Sequence, residues 1–67
     1  MKSENKLRGR LAEIGMTVSE FAENMGFSRP TARRKIDGEV QFNGAEIKRA
    51  CYILRIPISD IETYFFN

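Results

Sequence analysis

The stretch TVSEFAENMGFSRPTARRKIDG, residues 17–38, decides the fold. Thr17 followed three residues later by Glu20 is a capping box, so a helix opens there. Phe21, Ala22 and Met25 form its apolar stripe, and Gly26 supplies the positive-φ position that stops it. A further helix follows at once. Ser28 is a good N-cap, and Pro30 falls in the first turn, where a missing N–H costs little. Ala32 and Ile36, four apart, face inward, and Gly38 closes the segment. Two short helices joined around a glycine, with no room for a long loop, describe a helix-turn-helix.

The flanks extend the helical pattern. Leu7, Leu11 and Ile14 line one face of a first helix over residues 5–14, closed by Gly15. Gly9 within it is either a tolerated surface glycine or a point of close backbone approach. Glu39 to Phe42 reads as a loop. Asn43 and Glu46 cap a fourth helix with Ile47, Cys51 and Leu54 on its core face and Ala50 and Ile53 beside them. Pro57 ends that segment, because the residue before proline avoids the helical region. Ser59 is expected to cap a short fifth helix through Tyr64, with Ile61 and Phe65 packing back on the core. The polar residues Met1 to Glu4 are expected to fray. The seven isoleucines recur mostly at helical spacing, so strands are not expected.

Composition narrows the function. The 67 residues form one small domain, with 42 % hydrophobic residues for a single core. One cysteine excludes a disulfide framework and a cysteine-based zinc site within the chain. The absence of histidine removes the commonest catalytic base and metal ligand. No apolar run approaches a membrane span, and no apolar signal core opens the chain. A non-enzymatic, soluble, cytoplasmic domain without metal, cofactor or small-molecule substrate is expected. Cys51 reads as a buried helix residue. Glu20 and Glu23 read as a cap and a solvated face rather than a metal site, and Asn43, Asp60 and Glu62 as helix-terminus chemistry.

The charge is unevenly placed. Residues 1–35 carry 8 basic and 4 acidic groups, residues 36–67 carry 3 and 5, and the whole chain has a net charge of +2. No acid lies between Glu23 and Asp37, a window that holds Arg29, Arg33, Arg34 and Lys35. Like charges at i, i+4 destabilise a helix slightly, so an anionic partner is the natural compensation. Arginine in the major groove bonds guanine O6 and N7. The alternative is a solvated cationic face neutralised by Glu20 or Glu23. Lys6, Arg8 and Arg10 are either a solvated stripe or extra phosphate contacts. Gln41 and Asn43, in the loop after the basic helix, are either candidate phosphate donors or part of an ordinary turn.

Residues 17–38 resemble the helix-turn-helix of phage Cro/CI-type repressors, the XRE class. The features that carry the resemblance are Ala22, Gly26, the apolar Phe27, Ser28-Arg29 and the closing Ile36-Asp37-Gly38. The outer segments NKLRGR (5–10), EIK (46–48), ILRIP (53–57) and YFF (64–66) are similar to small regulators of temperate phages of Gram-positive bacteria. The resemblance implies an all-α, five-helix lambda-repressor-like domain that binds a double-stranded operator as a homodimer. It puts Arg29, Pro30, Arg33 and Arg34 at base-reading positions and Ser28 and Thr31 near the backbone. The family often has glutamine at the start of the second helix, where it meets phosphate; Val18 here loses that contact. A second expectation is a modulator that grips a phage repressor protein instead of DNA. Tyr64, Phe65 and Phe66 are the candidate partner surface, with Phe65 turned inward and Tyr64 and Phe66 left pointing outward; the alternative is that the chain end folds back and one domain buries all three rings.

Overall fold

A computed structural model describes residues 5–66 of the chain. Its helices are α1 (Lys6–Ile14), α2 (Val18–Met25), α3 (Arg29–Ile36), α4 (Gly44–Leu54) and α5 (Ile61–Phe65), with a 3₁₀ turn at Ile58–Asp60 leading into α5. No strand occurs among the described residues. The expectation for Met1 to Glu4 lies outside them.

Local chemistry sets the helix starts. Asn5, Thr17, Ser28 and Asn43 each accept a hydrogen bond from a backbone N–H in the first turn of α1 to α4 respectively. At α2 and α4 the exchange is reciprocal. Thr17 Oγ1 accepts from the Glu20 N–H at 3.1 Å, and Glu20 returns a carboxylate oxygen to the Thr17 N–H at 2.9 Å. Asn43 and Glu46 repeat the arrangement at 2.8 and 3.0 Å. Each box satisfies two backbone donors that a helix start otherwise leaves unpaired.

The helix ends are equally specific. Gly15 and Gly26 sit in the left-handed region at φ 71° and 81°. The next N–H reaches back to close each helix: Met16 to Leu11 O, and Phe27 to Ala22 O, both at 2.9 Å. α3 ends at Ile36, with Asp37 still right-handed and Gly38 making the reversal at φ 86°. α4 stops at Leu54, earlier than Pro57 alone suggests. Arg55 takes the left-handed conformation at φ 55° and the Ile56 N–H closes onto Cys51 O at 2.9 Å. A non-glycine residue pays about 1–2 kcal/mol for that conformation. The return is that Ile56 turns into the core and is 5 % exposed.

One expectation needs correction, and one open alternative is decided. Ser59 does not cap a fifth helix; it lies inside the 3₁₀ turn, and neither that turn nor α5 has a side-chain cap. The tight turn already orders the backbone there through the Asp60 N–H to Pro57 O bond at 2.8 Å. The Gly9 alternative also resolves: a Cβ placed there meets nothing within 4 Å, so it is a surface glycine.

The core gathers one apolar stripe from each of α1 to α4. Phe21 and Leu54 are its largest fully buried side chains. Leu7 and Leu11 of α1, Ala22 and Met25 of α2, Ala32 and Ile36 of α3, and Ile47, Ala50 and Cys51 of α4 complete it with Ile56. Phe42 extends it through edge-to-face contacts with Phe21 (centroids 6.5 Å apart) and Phe65 (5.2 Å). Such ring pairs add about 0.5–1.5 kcal/mol beyond area burial. Burial of Cys51 pushes its thiol pKa up, as for an inert helix residue.

Two arginines fasten α1 to the rest. Arg10 Nε and Nη2 donate to Leu54 O at 2.8 Å and Arg55 O at 3.1 Å, while Nη1 pairs with Glu13 at 3.0 Å. A cation thus sits on the last carbonyls of α4, where the helix dipole favours it. Arg8 pairs with Asp37 at the end of α3. Neither is a free cationic stripe on α1.

Candidate nucleic-acid interface

The basic helix α3 has two sharply different sides. Ala32 (0 % exposed) and Ile36 (4 %) pack inward. Arg29, Arg33 and Arg34 are exposed. None of the three makes a side-chain hydrogen bond or ion pair with another described residue, whereas Arg8, Arg10, Lys35 and Arg49 all do. Glu20 is occupied with its capping box, and neither it nor Glu23 forms an ion pair with the arginines. Among the described residues, neutralisation of these arginines by Glu20 or Glu23 is therefore not realised.

The three guanidinium groups border one open groove. Pro30 and Val18 form an apolar part of its lining, Arg8 enters from α1, and Asp37 and Glu39 stand at the carboxyl end of α3. Val18 opens α2, so the groove spans the amino end of α2 and the outer face of α3. The pairing of the two helices holds this surface rigid: α2 ends and α3 begins across only Gly26, Phe27 and Ser28.

The other expected contact residues separate. Ser28 Oγ accepts from the Thr31 N–H at 3.2 Å and donates to Thr31 Oγ1 at 2.9 Å. Its single proton is thereby engaged, and the Thr31 hydroxyl proton is the one left to donate outward. Gln41 is exposed with its side-chain amide unengaged. Asn43 uses its side-chain oxygen in the α4 cap, which leaves its amide N–H₂ as a donor.

Lys35 must be withdrawn from the contact set. Its ammonium bonds Glu46 Oε1 at 2.9 Å and Gln41 O at 3.1 Å. It also lies 5.3 Å from the Phe27 ring centroid and 5.8 Å from that of Phe42. The side chain is 12 % exposed. Lys35 follows Ala32 by three residues, and on a helix i, i+3 share a face. That spacing was the available signal that Lys35 flanks the core. Glu46 responds to its surroundings: the Asn43 backbone N–H first, and then Lys35, hold its carboxyl below the usual value.

The aromatic end also differs from expectation. Phe65 turns inward as anticipated, and the ring it meets there is Phe42. Tyr64 does not point outward; it is half-buried against the core, so Tyr64 and Phe66 do not form one exposed pair. Phe66 alone is exposed, at 63 %. Sequence reasoning missed three more exposed apolar residues, Tyr52 at 85 %, Ile58 at 72 % and Val40 at 43 %.

No helix among the described residues is long and apolar enough to cross a membrane. Fold and surface together define an all-α, five-helix domain with a helix-turn-helix whose second helix presents three exposed arginines that pair with no other described residue. The chain belongs to the family described as "Protein of unknown function (DUF739)", whose pattern it matches over residues 3–67. No curated protein matches it.

Proposed function

We propose that the protein is a sequence-specific, double-stranded DNA-binding regulator of transcription, a Cro/CI-like repressor that lays α3 in the major groove. The observation that carries this reading is the set Arg29, Arg33 and Arg34, exposed along one helix face and without an ionic partner among the described residues. Three uncompensated guanidinium groups on a rigid helix cost the free protein self-repulsion, and a polyanion relieves it. Pro30 and Val18 between them suit a thymine methyl or a sugar rather than a phosphate. In this reading the protein works without enzymatic activity or cofactor, in the cytoplasm of a bacterial host. A second copy would place another α3 about one DNA turn, roughly 34 Å, away.

A second reading has its own support. Tyr52, Ile58 and Phe66 are exposed outside the arginine groove. Large exposed apolar side chains suit a protein partner, which for a modulator would be a phage repressor. Gel shift of the purified protein on the intergenic DNA beside its own gene, repeated from low to moderate salt, separates the two. The DNA reading requires log K to fall with log salt by about 0.9 per phosphate neutralised. No binding at low salt leaves the modulator.

A further inference from the structure

Arg8 borders the same groove as Arg29, Arg33 and Arg34, although it comes from α1. Unlike them it is held in place. Its Nε and Nη2 both donate to one oxygen of Asp37, Oδ1, at 3.0 and 2.9 Å. Asp37 in turn closes α3, with its N–H on Arg33 O at 2.9 Å. The Asn5 side chain adds a second tie between the same two segments, donating to Ile36 O at 3.3 Å. The start of α1 is thus fixed on the end of α3.

A guanidinium carries five N–H donors in a rigid fork. Bonding Asp37 along the Nε–Nη2 edge engages two of them. The end-on edge, Nη1 with Nη2, keeps its donors, and the side chain is 42 % exposed. That edge has the two-pronged geometry that fits a phosphate. Because Asp37 offsets most of its charge at long range, Arg8 adds little to steering. Its value is directional, because the rotamer is already fixed before a ligand arrives.

We propose that Arg8 is a fourth contact in the arginine groove, a phosphate-binding residue held ready by Asp37 as its positioning residue. This rests on the DNA reading above. The alternative is that the pair only fastens α1 to α3.

The decisive variant is Arg8→Gln with Asp37→Asn. It keeps the chain's net charge and leaves the two side chains able to hydrogen-bond, so neither the long-range field nor the fastening is removed. Affinity for a mixed-sequence duplex is measured against salt for wild type and variant, with Tm recorded for both. We expect the variant to bind about tenfold more weakly, with its salt slope nearly unchanged, because Arg8 and Asp37 are lost together and the charge brought to the phosphates stays the same. Asp37→Asn alone should bind at least as well as wild type, since Arg8 keeps both its charge and an acceptor. A folded double variant with wild-type affinity overturns the assignment of Arg8 while leaving the DNA reading intact. A wild type that binds no duplex overturns both. If the double variant does not fold, the wild type still decides: the Arg8 side-chain N–H signals in NMR must shift when duplex is added, and signals that stay in place while those of Arg33 move refute the contact.

Discussion

The Lys35 ammonium lies 2.9 Å from Glu46 Oε1, joining the last turn of α3 to the first turn of α4 across the loop between them. Neither side chain is more than a quarter exposed, at 12 % and 23 %. The same Glu46 oxygen also accepts from the Asn43 N–H, so one carboxylate serves a helix cap and a tertiary ion pair. It fixes where α3 ends relative to the core and thereby aims the arginine face.

This arrangement sets a pH dependence. Glu46 has a lowered pKa in the folded state, so its contribution is present above its ordinary value of 4.5 and is lost as pH falls through the lowered one. Glu46→Gln keeps a side-chain acceptor for the cap and removes only the charge. We expect it to cost about 1–3 kcal/mol at pH 7, from the lost charge-assisted bond to a half-buried ammonium. Urea unfolding from pH 7 downward should show the gap between wild type and variant closing below the ordinary carboxylate range. A gap that is constant over that range would falsify the role of the charge.

Arg33 and Arg34 separate base reading from phosphate contact. Replacing either with Ala should weaken binding to the specific operator by roughly 1–3 kcal/mol and affect random DNA much less. Lys35→Ala should behave differently from both, because its ammonium is engaged inside the fold. It should lower Tm first and reduce DNA binding only through loss of folded protein. Parallel titrations on operator and random duplexes check this. Equal losses on both duplexes for the two arginines would leave them as phosphate contacts.

Arg10 tests how α4 is terminated. Removing its guanidinium frees the Leu54 and Arg55 carbonyls at a helix end whose reversal is made by a non-glycine residue. Arg10→Ala should destabilise by about 1–2 kcal/mol, as for a favourable, partly buried charge at a helix C-terminus. Arg10→Lys should recover part of this, since an ammonium lacks the fork that spans two carbonyls. Chemical denaturation at neutral pH reads both, and an unchanged midpoint for Arg10→Ala would remove the cap from the account.

The sequence speaks most clearly where a short-range rule acts. Thr17 with Glu20, Asn43 with Glu46, and Gly15 and Gly26 mark helix boundaries because caps and left-handed turns depend on residues within one turn. The apolar stripes of α1 to α4 follow from spacing for the same reason. Long-range partners are not written locally. Nothing near Arg10 announces Leu54, 44 positions away, and nothing near Arg8 announces Asp37. The candidate site divides along that line. Arg29, Arg33 and Arg34 stay on the surface as their helical positions require. Lys35, one residue further on, is drawn in by Glu46, Phe27 and Phe42. Arg55 was hidden because the left-handed turn at the end of α4 falls on a residue type that seldom makes one, and Ile56 became core through it.

The exposed apolar residues give the last expected outcome. Tyr64 packs on the core beside Ile61 and Phe65, so truncating it opens a cavity. Tyr64→Ala should cost about 2–4 kcal/mol of stability, within the range for large-to-small changes at a partly buried aromatic. Tyr52 and Ile58 are mostly solvated, so Tyr52→Ala and Ile58→Ala should each change stability by less than about 0.5 kcal/mol. Their effect should fall on association instead. Lys48, Arg49 and Arg55 share the α4 region with Tyr52, whereas Asp60 and Glu62 follow Ile58. In a two-fold pair the basic stretch of one copy can face the acidic stretch of the other, because each contact occurs twice in reciprocal form. Sedimentation at tens of micromolar, with salt varied, measures this. Wild type should sediment as a dimer that weakens as salt rises, and the Tyr52→Ala/Ile58→Ala double variant as a folded monomer. A wild type that stays monomeric alone and on DNA, and forms a complex only when a repressor protein is added, would instead establish the modulator.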